Sequence, residues 1–208
     1  MRVKSETRRQ AILDAAAEVF QELGFERASM STICQRLGYS KATLYNYFSS
    51  KEELFSAVVF EATEAEFQAT HQALDSTLED ITQALESFGQ RLLTLIYSPQ
   101  VQAVRRLMVS EAGRSDLGRK CYERGPARNE AEIAEFLQQA MRAGKLRKAD
   151  PRIAALHLRG LLEAEWFERF LFQILKEVSA KEINETVRRS VAAFMVAYGP
   201  LGRSTTKA

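Results

Sequence analysis

Lys41, Thr43, Tyr45, Asn46 and Tyr47 crowd into seven residues, and between and after them stand Leu44 and Phe48, four residues apart. If this stretch is helical, Leu44 and Phe48 share a face and turn inward, and Lys41, Ala42, Thr43, Tyr45, Asn46 and Tyr47 are left for the other faces. An asparagine amide can pair with the donor and acceptor edge of adenine, and a threonine methyl can meet a thymine methyl. Tyr45, Tyr47 and the nearby Lys51 can reach phosphate oxygens, which sets register without reading sequence. Ala42 is small enough to allow close approach. This is the chemistry of a helix laid in the major groove of DNA. The competing use of the same aromatics is as plain helical core.

The elements that would position this helix are legible on either side. Ser29 or Ser31 can cap a preceding helix, because a side-chain oxygen accepts from an otherwise unpaired amide. Met30, Ile33, Cys34 and Leu37 recur at three- and four-residue steps, so that helix buries one face. Gly38 follows where a left-handed residue ends a helix, and Ser40 caps the next one from Lys41. Helix, glycine turn and second helix make a helix-turn-helix, of which the second helix enters the groove in DNA-binding versions.

The block from Thr7 to Leu54 resembles the amino-terminal domain of the TetR family of bacterial transcriptional regulators. Arg8–Phe20 matches the first helix, Gly24–Ser29 the first connection, and Ser31–Ile33 with Leu37–Gly38 the second helix. Ser40–Phe48 matches the third, and Ser50–Leu54 opens the fourth. Tyr39 stands where a small aliphatic residue is usual, and Ala42 where glycine is common. The resemblance implies that Ser31 and Thr32 touch phosphate, that Lys41, Ala42, Thr43, Tyr45, Asn46 and Tyr47 meet DNA, and that Lys51 is a phosphate-binding lysine. A helix start supports an anion there on physical grounds. Val104–Arg114 and Leu117–Pro126 resemble the body of an AefR-like branch, which implies a homodimer and a small-molecule pocket. Family habit implies a repressor on a palindromic operator; an activator and a helical adaptor that binds no DNA are the alternatives.

The remaining composition agrees with an all-α chain. The 208 residues suffice for one or two domains, and strand-like alternation is nearly absent. No run approaches the roughly 20 apolar residues of a membrane span, and Met1–Lys4 has no apolar signal segment, so a cytoplasmic location is expected, on the nucleoid when bound to DNA. Cys34 and Cys121 are expected as buried thiols. Net charge is +2, with +3 on residues 1–51 and −1 on the rest; Arg2, Lys4, Arg8 and Arg9 form either a basic arm suited to phosphates or the minor groove or simply a solvated helix start.

The expected organisation is a three-helix helix-turn-helix head over residues 1–51, a larger helical-bundle body over 52–198 for effector binding and dimerisation, and a tail over 199–208. Periodicity predicts helices over 51–74, 77–97, from Pro99, from Asp116, over 127–143, over 151–175 and over 179–198. In the apolar helix after Pro151, hydrophobic residues fall on more than one face, so one face can meet the body and another a second copy. Leu158, Leu162, Val187, Val191, Phe194 and Met195 are the candidate dimer residues. Phe88, Leu92, Met108, Phe136, Met141, Trp166 and Phe170 could line a pocket for a small hydrophobic or amphipathic effector, or serve as core. Buried carboxylates need partners, so Glu163 and Glu165 suggest a cationic or hydrogen-bonding ligand, salt bridges to Arg159 or Arg169, or exposure to solvent.

Enzymatic chemistry finds little support. His71 and His157 are the only histidines and lack metal-ligand companions at helical spacing. Gly113–Leu117 ends in leucine where a nucleophile elbow has glycine, and no strand precedes it. Neither a cofactor nor a metal is expected.

Overall fold

The computed structural model describes residues 5–74 and 80–200. Arg2 and Lys4 of the basic arm, the helix start expected at Thr77 and tail residues 201–208 lie outside them. The described residues are all-helical, with no strand among them. They form two compact units. One comprises the described part of Met1–Glu64 with Ala103–Cys121; the other comprises that of Ala65–Gln102 and Tyr122–Ala208. These are called the head and the body.

The head begins with α1 (Glu6–Arg27), which leaves helical geometry at Gly24, where φ is +74°. α2 (Met30–Leu37) and α3 (Lys41–Tyr47) follow, then α4 (Lys51–Ala62), which packs on α1. Ile12, Leu13, Ala16 and Val19 from α1 meet Ile33 and Cys34 from α2, Leu44 from α3 and Leu54 from α4 in one apolar core. Phe20, Phe25 and Phe55 pack against one another beside it. On the outer surface Arg36 joins α2 to α1 through Glu18 at 3.1 Å and Glu22 at 2.7 Å.

α5 (Glu64–Gln72) follows α4 after a break at Thr63, so the single helix expected over 51–74 is two. Thr63 Oγ1 donates to the Val59 carbonyl at 2.8 Å, and its φ and ψ are −104° and 2°. The Thr63 amide bonds the same carbonyl at 3.0 Å, and a shared acceptor of this kind can bend a helix.

The body is built on α6 (Ile81–Ile96), α9 (Pro126–Arg142), α10 (Pro151–Glu163) and α12 (Ala180–Tyr198). α10 packs on α9 and α12, and α12 on α6. Leu85, Phe88, Ile133, Leu137, Leu158, Leu162, Val187 and Phe194 are wholly buried between them. Asp80, Asp150 and Ser179 cap three of these helices through side-chain oxygens, and Ser179 forms a reciprocal capping box with Glu182. α7 (Pro99–Ser110) and α8 (Leu117–Arg124) complete the chain between α6 and α9.

The long helix expected over 151–175 also ends early, at Glu163, and resumes as the short α11 (Phe167–Leu171). Trp166 leaves helical geometry to pack edge-on against Tyr97 at 5.4 Å, whereas Glu165 pairs outward with Arg189 at 2.8 Å.

Candidate nucleic-acid interface

The turn between α2 and α3 is made by local chemistry. Ser29 Oγ accepts from the Thr32 amide at 3.1 Å and starts α2. Gly38, with φ +67°, ends it in a left-handed conformation that a side chain would strain. Tyr39 N–H returns to the Cys34 carbonyl at 3.2 Å, and the Tyr39 ring packs against the head core under the turn. Ser40 Oγ then accepts from the Thr43 amide at 3.1 Å and starts α3.

Leu44 is wholly buried and Phe48 nearly so, as their spacing predicts. The opposite side of α3 presents Lys41, Ala42, Tyr45 and Asn46 to solvent, and Tyr45 is 50% exposed. Thr43 and Tyr47 are half-buried on the flanks. The Thr43 hydroxyl shares a hydrogen bond with Ser40 Oγ at 2.9 Å. The Tyr47 hydroxyl accepts from the Ser5 amide at 3.1 Å, which ties the start of α1 to α3. Ser31 and Thr32 are half-buried at the start of α2, and the Thr32 hydroxyl shares a bond with Ser29.

Lys51 is engaged within the head. Its ammonium donates to the carbonyls of Phe25 at 2.9 Å and Ala28 at 3.3 Å and lies 4.2 Å from the Phe25 ring centre. A lysine has three donors, so one remains for a phosphate. Lys51→Ala is expected to flatten the salt slope of DNA binding by about one unit and to lower the melting temperature of the head. A lower melting temperature with an unchanged slope would leave Lys51 as an internal clamp alone.

One part of this surface was missed in reading the sequence. Glu53, which together with Glu52 suggests only a favourable charge at a helix start, accepts from Ser49 N at 2.9 Å and Ser49 Oγ at 2.6 Å. Ser50 Oγ in turn accepts from the Glu53 amide at 3.0 Å. The Ser-x-x-Glu spacing of a capping box was the available signal. Partial burial pushes the Glu53 carboxyl up, but the bonds from Ser49 and Lys120 outweigh it and hold the group below the usual carboxylate range.

The other expected sites fare differently. Phe88, Leu92, Phe136, Met141, Trp166 and Phe170 are buried in the contiguous body core, whereas Met108 is half-buried on a segment that belongs to the head. Two open grooves of the body, of about 430 and 600 Å³, are lined by other residues, among them Gln72, Ser87 and Arg91 in the first and Leu146, Arg147 and Lys148 in the second. Leu158, Leu162, Val187, Val191 and Phe194 have no exposed surface at all, which corrects their expected place at a dimer interface: they close the protomer's own core. Met195 is half-buried. The outward faces of α10 and α12 instead carry Ile153 at 46%, Leu156 at 45% and Val196 at 89% exposure. Glu163 pairs with Arg159 at 3.0 Å, and Arg159 also binds Glu130. Glu165 is exposed and pairs with Arg189 and Thr186. Cys34 and Cys121 are buried and form no disulfide.

An exposed polar helix face, capped by Ser40 and held by Leu44 and Phe48 behind a glycine turn, defines a helix-turn-helix DNA-binding protein. Comparison with known proteins narrows the class. Residues 12–58 match the family described as "Bacterial regulatory proteins, tetR family", and residues 83–200 match "AefR-like transcriptional repressor, C-terminal domain". The chain belongs to the TetR family of transcriptional regulators, and is not an enzyme. It is 36% identical over 117 residues to the transcriptional regulator UidR of Escherichia coli K12; the match covers 50% of this chain and 60% of UidR. A TetR-family regulator from Mesorhizobium loti MAFF303099 is similar in structure, with a TM-score of 0.79 and 29% identity over 94% of this chain and 100% of the other. The flavonoid-responsive regulator FrrA is also similar, with a TM-score of 0.70 and 29% identity, covering 94% and 99%.

Proposed function

We propose that this protein is a homodimeric repressor that reads a palindromic operator with α3 and releases it in response to a small hydrophobic or amphipathic effector. The observation that carries the DNA-binding part is the outward set Lys41, Ala42, Tyr45 and Asn46 on a helix whose other face is locked into the head core. One such helix covers few base pairs. Two, related by a two-fold axis and about 34–36 Å apart, read two half-sites in successive turns of the major groove. Ser31, Thr32, Tyr47 and Lys51 supply the flanking phosphate contacts in this reading. Occlusion of a promoter suffices for repression, and the AefR-like repressor match over residues 83–200 supports that sense. No helix among the described residues is long and apolar enough to cross a membrane, and a regulator of this family works in the cytoplasm on the nucleoid.

Selection of bound duplexes from a random pool tests the reading directly. One palindromic motif should emerge, bound with a steep negative dependence on salt and resistant to competition by unrelated duplex. Recovery of no motif, with weak binding that vanishes at moderate salt, would refute it.

The dimer contact is assigned to the outward faces of α10 and α12, where Ile153, Leu156 and Val196 are exposed and Gly160 and Ala192 permit close approach. An isologous interface places every substitution twice, and each buried unpaired carboxylate costs several kcal/mol. Leu156→Glu with Val196→Glu is therefore expected to weaken association by at least about a hundredfold while leaving the far-ultraviolet circular dichroism unchanged. Sedimentation equilibrium checks it; an intact dimer would place the contact elsewhere.

The effector is assigned to the body, whose core around Phe88, Leu92, Phe136, Met141, Trp166 and Phe170 would have to part to admit it. Such a molecule shifts the equilibrium between body states only by its differential affinity for them. The flavonoid response of FrrA makes planar aromatic phenols the first compounds to screen for a change in operator affinity.

A further inference from the structure

We propose that Lys120, which lies far outside the helix-turn-helix in sequence, is a positioning residue for DNA reading: through Glu53 and Ser49 it holds the carboxy-terminal end of α3. The inference rests on the assignment of α3 as the reading helix. All its contacts lie within the head unit, to which Ala103–Cys121 belongs.

Lys120 Nζ donates to Glu53 Oε1 at 2.9 Å. The other oxygen of the same carboxylate accepts both Ser49 N–H and Ser49 O–H, at 2.9 and 2.6 Å. Ser49 follows Phe48, the residue that closes α3 through its amide to the Leu44 carbonyl at 3.1 Å. The chain of contacts from the ammonium to the last turn of α3 is therefore one carboxylate and one peptide long. The lysine is itself held. Leu117 and Cys121 of α8 are buried on either side of it in sequence, and Asp116 Oδ1 stands 3.4 Å from Nζ.

The geometry assigns the two ends of the carboxylate different tasks. One fixes the backbone where α3 stops; the other fixes the rotamer that makes this possible. Without the cation, Glu53 at the mouth of α4 is free to turn to solvent, and the Ser49 amide loses its acceptor. The angle at which α3 leaves the turn then has one constraint fewer. Lys120 acts through Glu53 and touches no DNA.

The test uses the full chain and the duplex selected by the wild-type protein. Lys120→Gln is expected to lower affinity for that duplex about threefold to fivefold, the upper range for an ion pair whose lysine is part-exposed, with an unchanged salt slope, because no phosphate contact is lost. The selected motif should stay the same and Lys120→Arg should restore most of the affinity. Amide hydrogen exchange at Ser49, measured without DNA, should accelerate in Lys120→Gln and in Glu53→Gln. A slope reduced by about one unit would make Lys120 a phosphate ligand and overturn the proposal. Unchanged affinity, or unchanged exchange at Ser49, would overturn it too. A wild-type protein that selects no duplex refutes the DNA-reading assignment instead, and is recognised before any variant is made; the Ser49 exchange then decides alone whether Lys120 holds the end of α3.

Discussion

Leu44→Ala should cost the head about 3 kcal/mol, the middle of the range for a fully buried leucine that leaves a cavity. The side chain has no exposed surface and sits where α1, α2 and α4 converge on α3. A unit of this size has only several kcal/mol in hand, so unfolding followed by circular dichroism should begin at a markedly lower temperature, and DNA binding should fall for every duplex alike. Asn46→Ala, two residues along the same helix, is expected to do the opposite. Asn46 is exposed, and surface changes away from special features stay within about 0.5 kcal/mol in stability. What it should lose is discrimination, by ~1–3 kcal/mol at one base pair per half-site. Melting curves and repeated duplex selection separate the two results. An Asn46→Ala selection profile identical to the wild type would take Asn46 out of base reading, and a Leu44→Ala protein of unchanged stability would contradict the packing of the head.

Gly89→Leu should destabilise the body by about 3 kcal/mol or more, at the upper end of overpacking costs. Gly89 lies on the buried face of α6, where a Cβ would stand 2.9 Å from Val187 Cγ1 and 3.0 Å from Leu162 Cδ2. Val187 is β-branched and so has little rotamer freedom, and neither neighbour has any exposed surface into which it could withdraw. The gain in helix propensity on replacing glycine is only about 1 kcal/mol, too small to offset four buried carbons at a contact already closed. Gly89→Ala should show the balance of the two terms, as a much smaller loss. Thermal unfolding followed at Trp166, the one tryptophan, reports on the body alone. A leucine accommodated without loss would mean that α6 and α12 can separate at this point.

Glu53 and Thr63 show where local signals end. The Ser50 to Glu53 spacing marks a helix start, but nothing nearby indicates that the carboxylate is shared with a lysine 67 residues further on. A threonine in a helical pattern is usually tolerated, and whether its hydroxyl turns back on the Val59 carbonyl depends on the space around it. The same limit applies to the two-faced helix after Pro151. Its apolar residues on several sides imply two partners, but not which side meets which. Leu158 and Leu162 went to the protomer's own core, and Ile153 and Leu156 were left outside.

Capping serines and aspartates, the left-handed glycine after Leu37, the spacing of Leu44 and Phe48 and the polar set between them are properties of short stretches of chain. They act through bonds within one helical turn, so they could be recognised before any folding was considered, and with them came the all-helical class and the helix proposed to read DNA. The break at Trp166, the core destinations of Phe88 and Phe194, the outward faces of α10 and α12 and the hold of Lys120 on Glu53 depend on which distant surfaces meet. Burial and ion pairing between remote segments are decided by the competition of all faces for a limited interior, and only the folded chain resolves that competition.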